Sequence, residues 1–288
     1  MSLANIYQRR FGLSFELFPP KTEKGEQALL RHVDHLNRFH PDYLTCTYGA
    51  GGSTQAKTLG IITKVKERLD IPVASHLTCV GSSVDQLRSY LTEARQRGID
   101  HIIALRGDPP KGESEFKATA DGFRHANELV ELIRSEFSNF GIAVAGYPEK
   151  HQEATSFEVD IENLKRKVDA GGQIVITQLF YQNDDFYRFR DACDKAGINL
   201  PLVPGILPVT SLTQIQRISS MCGAALPASL VDQLGERDDD VWQFQVGVEF
   251  AVEQVKDLIA HDVCGMHFYV LNKSAATSEV LQHAELDR

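Results

Sequence analysis

The sequence predicts an α/β protein folded as one (β/α)8, or TIM, barrel over residues 1–288. Short apolar or β-branched segments recur eight times, and most of them begin about 30 residues apart, the length of one strand–helix unit. The segments between them are amphipathic with helical periodicity, and no low-complexity or linker-like stretch divides the chain. An open doubly wound sheet is the alternative, but it usually has about five to seven strands and a glycine-rich first turn.

The predicted strands are residues 13–19, 43–49, 73–79, 101–108, 143–149, 173–179, 202–208 and 266–272. Two intervals are longer than the rest, and they leave room for an extra loop after Asp108 and an extra helix within 208–239. After the third strand, Leu87, Leu91 and Ala94 have the spacing of one face of a helix. Gly98 follows them at a position that suits the end of that helix. The acidic run 238–240 suits the start of a helix with an apolar face made of Val241, Phe244, Val248, Ala251, Val252, Val255 and Ile259.

Composition describes a soluble globular protein and excludes several classes of partner. The net charge of -9 argues against sequence-independent binding to nucleic acid or anionic lipid. The five cysteines are scattered without a CxxC or Cys/His spacing, which predicts reduced thiols and no metal site. The amino terminus lacks an apolar signal core, and no run approaches the roughly 20 apolar residues of a membrane span. We therefore expect a cytoplasmic protein without membrane contact.

Polar side chains follow the predicted strands at the point where each strand ends. In a (β/α)8 barrel these ends meet at one mouth, where active sites lie. The predicted mouth carries Glu16, Thr47, His76, Arg106, Asp108, Tyr147, His151 and Gln178. Some of these residues also have structural interpretations, since Asp108 could shape a turn and His76 could be a core histidine. The basic run 165–167, which is not among the eight, could likewise be a solvated helix face. Taken together, the eight predict one site.

Glu16 stands in the middle of the first predicted strand. Alternation places Phe15 and Leu17 on one face and Ser14, Glu16 and Phe18 on the other. Base rates for glutamate favour a half-exposed strand with this carboxylate in solvent. The other interpretation is functional, because burial favours the protonated form of a carboxyl group and enzymes use this to make general acids. If its face lines the mouth, Glu16 is a candidate proton donor.

Motifs for other chemistries are weak or missing. The segment GAGGST lacks the third glycine of a dinucleotide fingerprint, since Thr54 stands at that position. The sequence contains no Walker A lysine motif, no H-E-x-x-H and no G-x-S-x-G. Metal chemistry and acyl transfer through a serine therefore have little support.

A set of strings in register with all eight strands resembles the methylenetetrahydrofolate reductase family in its short bacterial form, which has the catalytic barrel only. They are FELFPPKT, LTCTYGAGGST, HLTC, ALRGDPP, YPEKH, NLKRKVDAGG, ITQLFY, PGILP and FYVLN. The resemblance implies a barrel that binds FAD non-covalently and reduces 5,10-methylenetetrahydrofolate to 5-methyltetrahydrofolate. It further implies NADH or NADPH as hydride donor, a ping-pong order through the flavin, a supply of methyl groups for methionine synthesis, and a homo-oligomer.

The resemblance also assigns residues. Glu16 matches the general acid that protonates N10, and Asp108 matches an aspartate beside flavin and pterin. The folate and nicotinamide contacts it implies are Glu16, Thr47, Asp108, Gln178, Gln214 and Lys273. The FAD contacts it implies are Tyr48, Ala50, His76, Arg106, Gly107, Asp108, Ala126, Tyr147, His151, Ala154, Asp160, Asn163, Arg166 and Lys167. Cations among them suit a pyrophosphate.

Three positions depart from the family pattern. Leu17 replaces a phenylalanine, Ile218 stands where one branch has a phenylalanine over the substrate, and Lys273 replaces an arginine, which keeps the charge without bidentate geometry. Alternatives to the reductase are the same flavin barrel working as a methyltetrahydrofolate oxidase, or a pterin-binding one-carbon transferase without redox chemistry. A non-catalytic accessory chain should have lost Glu16 or Asp108, and both are present.

Overall fold

A computed structural model of the chain describes residues 3–47, 55–109, 112 and 116–286. Eight parallel strands form a closed barrel in chain order, with β8 pairing back to β1. The strands are β1 Gly12–Leu17, β2 Tyr43–Cys46, β3 Val73–Thr78, β4 His101–Leu105, β5 Gly141–Gly146, β6 Ile174–Leu179, β7 Leu202–Ile206 and β8 Gly265–Tyr269. The predicted (β/α)8 fold is confirmed.

Helices surround the barrel, except for the first, which precedes β1 and packs against the end of the barrel where the strands start. They are α1 Ala4–Arg9, α2 Glu23–Asn37, α3 Gln55–Leu69, α4 Val84–Gln96, α5 Ala126–Glu136, α6 Phe157–Asp169, α7 Asn183–Lys195, α8 Leu212–Cys222, α9 Ala228–Gly235, α10 Asp240–Ala260 and α11 Ala275–His283. Side chains cap several amino termini: Ser83 forms a capping box with Gln86, and Asp239 accepts a hydrogen bond from the Trp242 N–H. No helix in the described ranges is long and apolar enough to cross a bilayer.

The predicted element positions are correct, and most of the errors lie at element ends. Predicted strand 101–108 ends at Leu105 and predicted strand 266–272 ends at Tyr269, because the residues that follow, 106–108 and 270–272, lie in loops. Two helices, α8 and α9, occupy the interval where one was expected. Val241 is 65% exposed at the start of α10, and Phe244 and Ile259 are half-buried, whereas the other members of the predicted face are buried. Helix α1 was not predicted.

The alternation along the strands separates two apolar regions. Leu13, Phe15 and Leu17 pack outward in the layer between the sheet and the helices, so Ser14 and Glu16 face the barrel interior. Inside the barrel, residues near the strand starts pack against α1, and this cluster includes Leu3, Tyr7, Tyr43, Ala74, Ile103, Ala143, Ile174 and Val203. Helix α1 therefore closes the amino-terminal end of the barrel and leaves the carboxyl-terminal mouth for the site.

Candidate active site

Glu16 is buried inside the barrel against two imidazole rings. Its carboxyl Oε2 lies 3.3 Å from His76 Nε2 and 3.9 Å from His267 Nε2. The residue is only 7% exposed, so the solvent-facing interpretation of this strand is wrong. Burial lowers the pKa of His76 below its ordinary value, against the opposing effect of the Glu16 charge. The neutral form of the His76 imidazole is thereby favoured.

The register of β1 with its two neighbours builds this pocket. Glu16 pairs with Thr45 of β2 on one side and with Tyr269 of β8 on the other. The Tyr269 hydroxyl donates to the Thr177 carbonyl at 2.7 Å, and burial raises the pKa of this phenol well above its ordinary value. Within the part of the chain that the structure describes, the Thr45 hydroxyl is buried without a hydrogen-bond partner. An unpaired polar atom therefore stands beside Glu16.

A second polar group lies at the ends of β4 and β5. The Arg106 guanidinium donates two hydrogen bonds to the Glu153 carboxylate, at 2.5 and 2.7 Å, and lies 4.9 Å from the centroid of the Phe116 ring. These hydrogen bonds lower the pKa of Glu153, which stays ionised. Asp108 is exposed two residues after Arg106, close enough for its charge to raise the pKa of Tyr147, where burial is the larger cause.

Gly107 gives the loop between these residues its shape. Its φ of +88° is in the left-handed region, and a Cβ atom there would lie 2.6 Å from Val80 Cγ1 and 3.0 Å from Thr78 Cβ. Both features favour glycine, because any other side chain would be strained and would collide with the loop after β3. Arg106 and Asp108 are thereby held close to β3, on which His76 stands.

The loop after β5 is tied to helix α6. The rings of Tyr147 and His151 meet edge to face at 4.7 Å, and the His151 backbone N–H donates to Asp160 Oδ2 at 2.9 Å. Lys167 donates from Nζ to the Ala145 carbonyl at 2.6 Å and lies 5.8 Å from the Tyr147 ring centroid. Burial lowers the pKa of Lys167 to about 8, with Asp160 opposing the shift. This cation faces the barrel instead of solvent, unlike Lys165, which pairs with Asp169 on the helix surface.

The other predicted site residues make local contacts around the mouth. The Thr47 carbonyl accepts from Thr58, and Gln178 Oε1 accepts from the adjacent Leu179 N–H. Arg166 donates to Asn163 at 3.1 Å on the surface of α6. Gln214 on α8 and Lys273 after β8 are exposed, Ala126 is the first residue of α5, and Ala154 is half-buried in the loop before α6. Tyr48 and Ala50 lie outside the described residues.

Sequence reasoning missed three residues of this region. His267 and Tyr269 stand two apart on β8, on the interior face next to Glu16, and Glu153 neutralises Arg106. The signal for the first two is the alternation of Gly265, His267 and Tyr269 with Met266 and Phe268 along a predicted strand. The Glu153 contact joins two loops 47 residues apart, and no periodic pattern marks it.

Comparison with known proteins identifies the family. A family model described as methylenetetrahydrofolate reductase matches residues 2–285. The chain belongs to this family. The 5,10-methylenetetrahydrofolate reductase of Escherichia coli (strain K12) is 39% identical over 274 residues, which cover 95% of this chain and 90% of the relative.

A plant member of the methylenetetrahydrofolate reductase family is longer than this chain. Methylenetetrahydrofolate reductase (NADH) 1 of Arabidopsis thaliana is 37% identical over 290 residues, 97% of this chain and 49% of the relative. The chain thus spans about half the length of that plant protein. Among solved structures, an uncharacterized Clostridium thermocellum protein that binds two copies of 5-methyl-5,6,7,8-tetrahydrofolic acid has a TM-score of 0.65 at 15% identity, over 98% of this chain and 97% of its own. That likeness supports the barrel fold alone.

Proposed function

We propose that this chain reduces 5,10-methylenetetrahydrofolate to 5-methyltetrahydrofolate with FAD as a non-covalent cofactor and NADH or NADPH as electron donor. The two substrates would use the barrel mouth in turn, in a ping-pong order. Family membership supports the reaction, and the observation that carries it in this molecule is the buried carboxyl group of Glu16 beside the imidazole of His76, whose neutral form burial favours.

The chemistry of the substrate explains why a buried acid is needed. The methylene carbon is bonded to both N5 and N10, and it accepts a hydride readily only after the bond to N10 breaks. Protonation of N10 lets the bonding electron pair leave on that nitrogen, so that an iminium remains at N5. Glu16 would give its carboxyl proton to N10 and become a carboxylate. Solvent is kept from this carboxyl group by the barrel wall, because only 7% of the residue is exposed.

The residues around the mouth fit an FAD molecule. Its pyrophosphate needs cations and N–H donors. Arg106 supplies positive charge beside the loop before α6, and Arg166 and Lys167 supply it in the last turn of that helix. Tyr147 and His151 offer ring surfaces at the same edge of the barrel. Once bound, FAD would supply the two-electron carrier between nicotinamide and folate. Arg106 binds the Glu153 carboxylate, a negatively charged partner that a phosphate could replace.

An anaerobic absorbance experiment on the purified protein tests this proposal. We expect a flavin spectrum, as purified or after addition of FAD, that bleaches with NADH or NADPH and recovers when methylenetetrahydrofolate is added. A protein that binds no flavin would favour a one-carbon transferase without redox chemistry. A flavin that bleaches but is not reoxidised by methylenetetrahydrofolate would overturn the substrate assignment.

The same experiment separates the reductase from an oxidase working in the opposite direction. Reduced flavin formed by adding 5-methyltetrahydrofolate, at a rate above that of its reoxidation by methylenetetrahydrofolate, would favour the oxidase. The position of Glu16 does not decide between the two, because a group that gives a proton to N10 in one direction takes it back in the other, so the measured rates decide.

A further inference from the structure

Strand β6 is irregular at the residues that lead into the mouth. Its pairing register with β7 shifts between Ile176 and Leu179. The two residues between them, Thr177 and Gln178, lie opposite the single residue Pro204 of β7. This is a β-bulge, which is rare between parallel strands and is often found beside active sites, where it re-aims a side chain. The bulge therefore sets the direction of Gln178, which is half-buried near the end of the strand.

Pro204 accounts for the place of the bulge. Proline has no backbone N–H to donate to a ladder, so within sheets it is largely confined to edges, strand starts and bulges. Two side-chain hydroxyls bind the main chain beside Pro204. The Gly205 N–H donates to Thr177 Oγ1 at 2.9 Å, and the Thr177 carbonyl accepts from the Tyr269 hydroxyl at 2.7 Å. Thr177 is fully buried, so that carbonyl would be costly to leave unpaired.

Tyr269 reaches the bulge from a strand that is not its neighbour. It stands on β8, and β7 lies between β8 and β6. A Cβ atom on Gly205 of β7 would be 2.7 Å from Tyr269 Cε2, 2.9 Å from the phenol oxygen and 2.3 Å from the Thr177 carbonyl oxygen. Glycine at this position therefore leaves the room in which the phenol crosses β7 to reach β6.

A third hydrogen bond orients the amide of Gln178. Its Oε1 accepts from the Leu179 N–H at 2.9 Å. Each of the three hydrogen bonds has a main-chain group as one partner, and an N–H can only donate whereas a C=O can only accept. Their directions are therefore fixed. The Tyr269 proton is committed to the Thr177 carbonyl, and the Gln178 amide has its oxygen turned to the main chain and its Nε2 amino group left to donate.

We propose that Tyr269 and Thr177 are positioning residues whose hydroxyls hold the β6 bulge, so that the bulge presents the Nε2 amino group of Gln178 to a carbonyl oxygen of the molecule in the mouth. This inference rests on the proposed function, in which folate and nicotinamide occupy the mouth in turn. The pterin ring has a carbonyl group and nicotinamide has a carboxamide, so one donor serves both. Tyr269 acts here through Gln178, as Thr177 does.

Tyr269 also stands beside Glu16, so two routes must be separated. The two residues pair across β1 and β8, and the Glu16 charge raises the pKa of Tyr269, after burial as the larger cause. A change at Tyr269 that acted through Glu16 would alter the folate half-reaction alone, because flavin reduction by nicotinamide needs no proton at N10. A change that acts through Gln178 alters the apparent Kd of both substrates.

Anaerobic stopped-flow measurements on FAD-loaded protein give an apparent Kd and a limiting rate for each half-reaction. Tyr269→Phe removes the hydroxyl and keeps the ring. We expect it to raise the apparent Kd of NADH and that of methylenetetrahydrofolate by about 3–10-fold, the cost of one neutral hydrogen bond, with a smaller change in each limiting rate. Thr177→Val should have an effect of the same size, whereas Thr177→Ser, which keeps the hydroxyl, should restore both Kd values to within about twofold of the parent.

A double-mutant cycle shows whether Tyr269 acts through Gln178. In protein that already carries Gln178→Ala, Tyr269→Phe should raise the apparent Kd values by less than about twofold more, because the group that it positions is gone. Tyr181→Phe is the matched control and should change both Kd values by less than about twofold. Tyr181 is another buried phenol that donates to a main-chain carbonyl, that of Leu207 at 3.4 Å, but it lies outside the bulge. Independent, multiplying effects of the two substitutions, or an effect in the folate half-reaction alone, would overturn the inference.

A measurement without turnover tests the bulge itself. The Gly205 amide hydrogen should exchange with solvent about 3–10-fold faster in Thr177→Val than in Thr177→Ser, because only the serine variant keeps the acceptor oxygen. Equal exchange in the two variants would contradict the role given to Thr177, and this comparison remains available if Tyr269→Phe does not fold. A parent protein that fails to reduce or reoxidise flavin would instead overturn the proposed function, and the exchange rates would still test the bulge.

Discussion

Acidification should destabilise this barrel through His101, which lies at the start of β4 near the end closed by α1. Its ring meets the Tyr43 ring edge to face at 5.9 Å, and its Nδ1 is buried without a hydrogen-bond partner among the described residues. Burial lowers the pKa of His101 to about 4, from an ordinary value of 6.5. His101 therefore binds a proton less readily in the folded protein than in the unfolded chain.

The sign and size of the effect follow from linkage. Because the pKa of His101 is lower in the folded state, the contribution of its neutral form to the free energy of unfolding is fully present above pH 6.5. This contribution is lost as the pH falls toward about 4. A shift of this size is worth about 3 kcal/mol when complete, at about 1.4 kcal/mol for each pH unit. Between pH 7 and about pH 5, where the unfolded histidine is nearly all protonated and the folded one is not, we expect a loss of about 2 kcal/mol.

Urea unfolding at these two pH values measures the effect, with His101→Leu as the variant. Other buried histidines also destabilise the fold in acid, so the quantity of interest is the difference between the parent and the variant. We expect the variant to lose about 2 kcal/mol less than the parent between pH 7 and about pH 5. The exposed His283 provides the matched control, since His283→Gln should follow the parent. Equal pH dependence in His101→Leu and the parent would refute the reasoning.

Two further predictions concern the mouth. Gly107→Ala should lower the free energy of unfolding by about 1–3 kcal/mol and weaken FAD binding, because it places a side chain at positive φ against Val80. Gly60→Ala, in open space on α3, should instead stabilise the protein by up to about 1 kcal/mol. Thermal unfolding measures both effects, and an unchanged stability of Gly107→Ala would contradict the role given to this glycine. Lys167→Met should weaken FAD binding by about 10–100-fold in a fluorescence titration, while the surface variant Lys165→Met should change the affinity by less than about twofold. Equal effects of the two variants would contradict a contact between Lys167 and the cofactor.

The repeat of strands and the polar strand ends were enough to predict the barrel and most of its mouth. The alternation around Glu16 predicted its two possible orientations, and only closure of the barrel decided between them, since the partners that bury it come from β3 and β8. Contacts between distant strands have no local signature. His267 is 253 residues from Ser14, and their contact depends on the register between the first and last strands.

Short elements and loops were predicted least well. Helix α1 has six residues, too few for an apolar periodicity, and its packing against the barrel end is a tertiary effect. Several strands were predicted too long at their carboxyl ends, because the residues that mark the site lie in the loops that follow the strands. The side chain of Lys167 turned inward although its neighbours on α6 are exposed or paired at the surface, since the Ala145 carbonyl and the Tyr147 ring lie on its side of the helix.

Glu16→Gln measured in the two half-reactions tests the central claim most directly. The amide has the shape of the acid and can still contact His76, but it has no carboxyl proton to give. We expect flavin reduction by NADH to stay within about twofold of the parent, while flavin reoxidation by methylenetetrahydrofolate falls by about 10²–10⁴-fold, the usual contribution of a general acid. Retention of the folate step, or equal loss of both steps, would contradict the role of Glu16 as the proton donor.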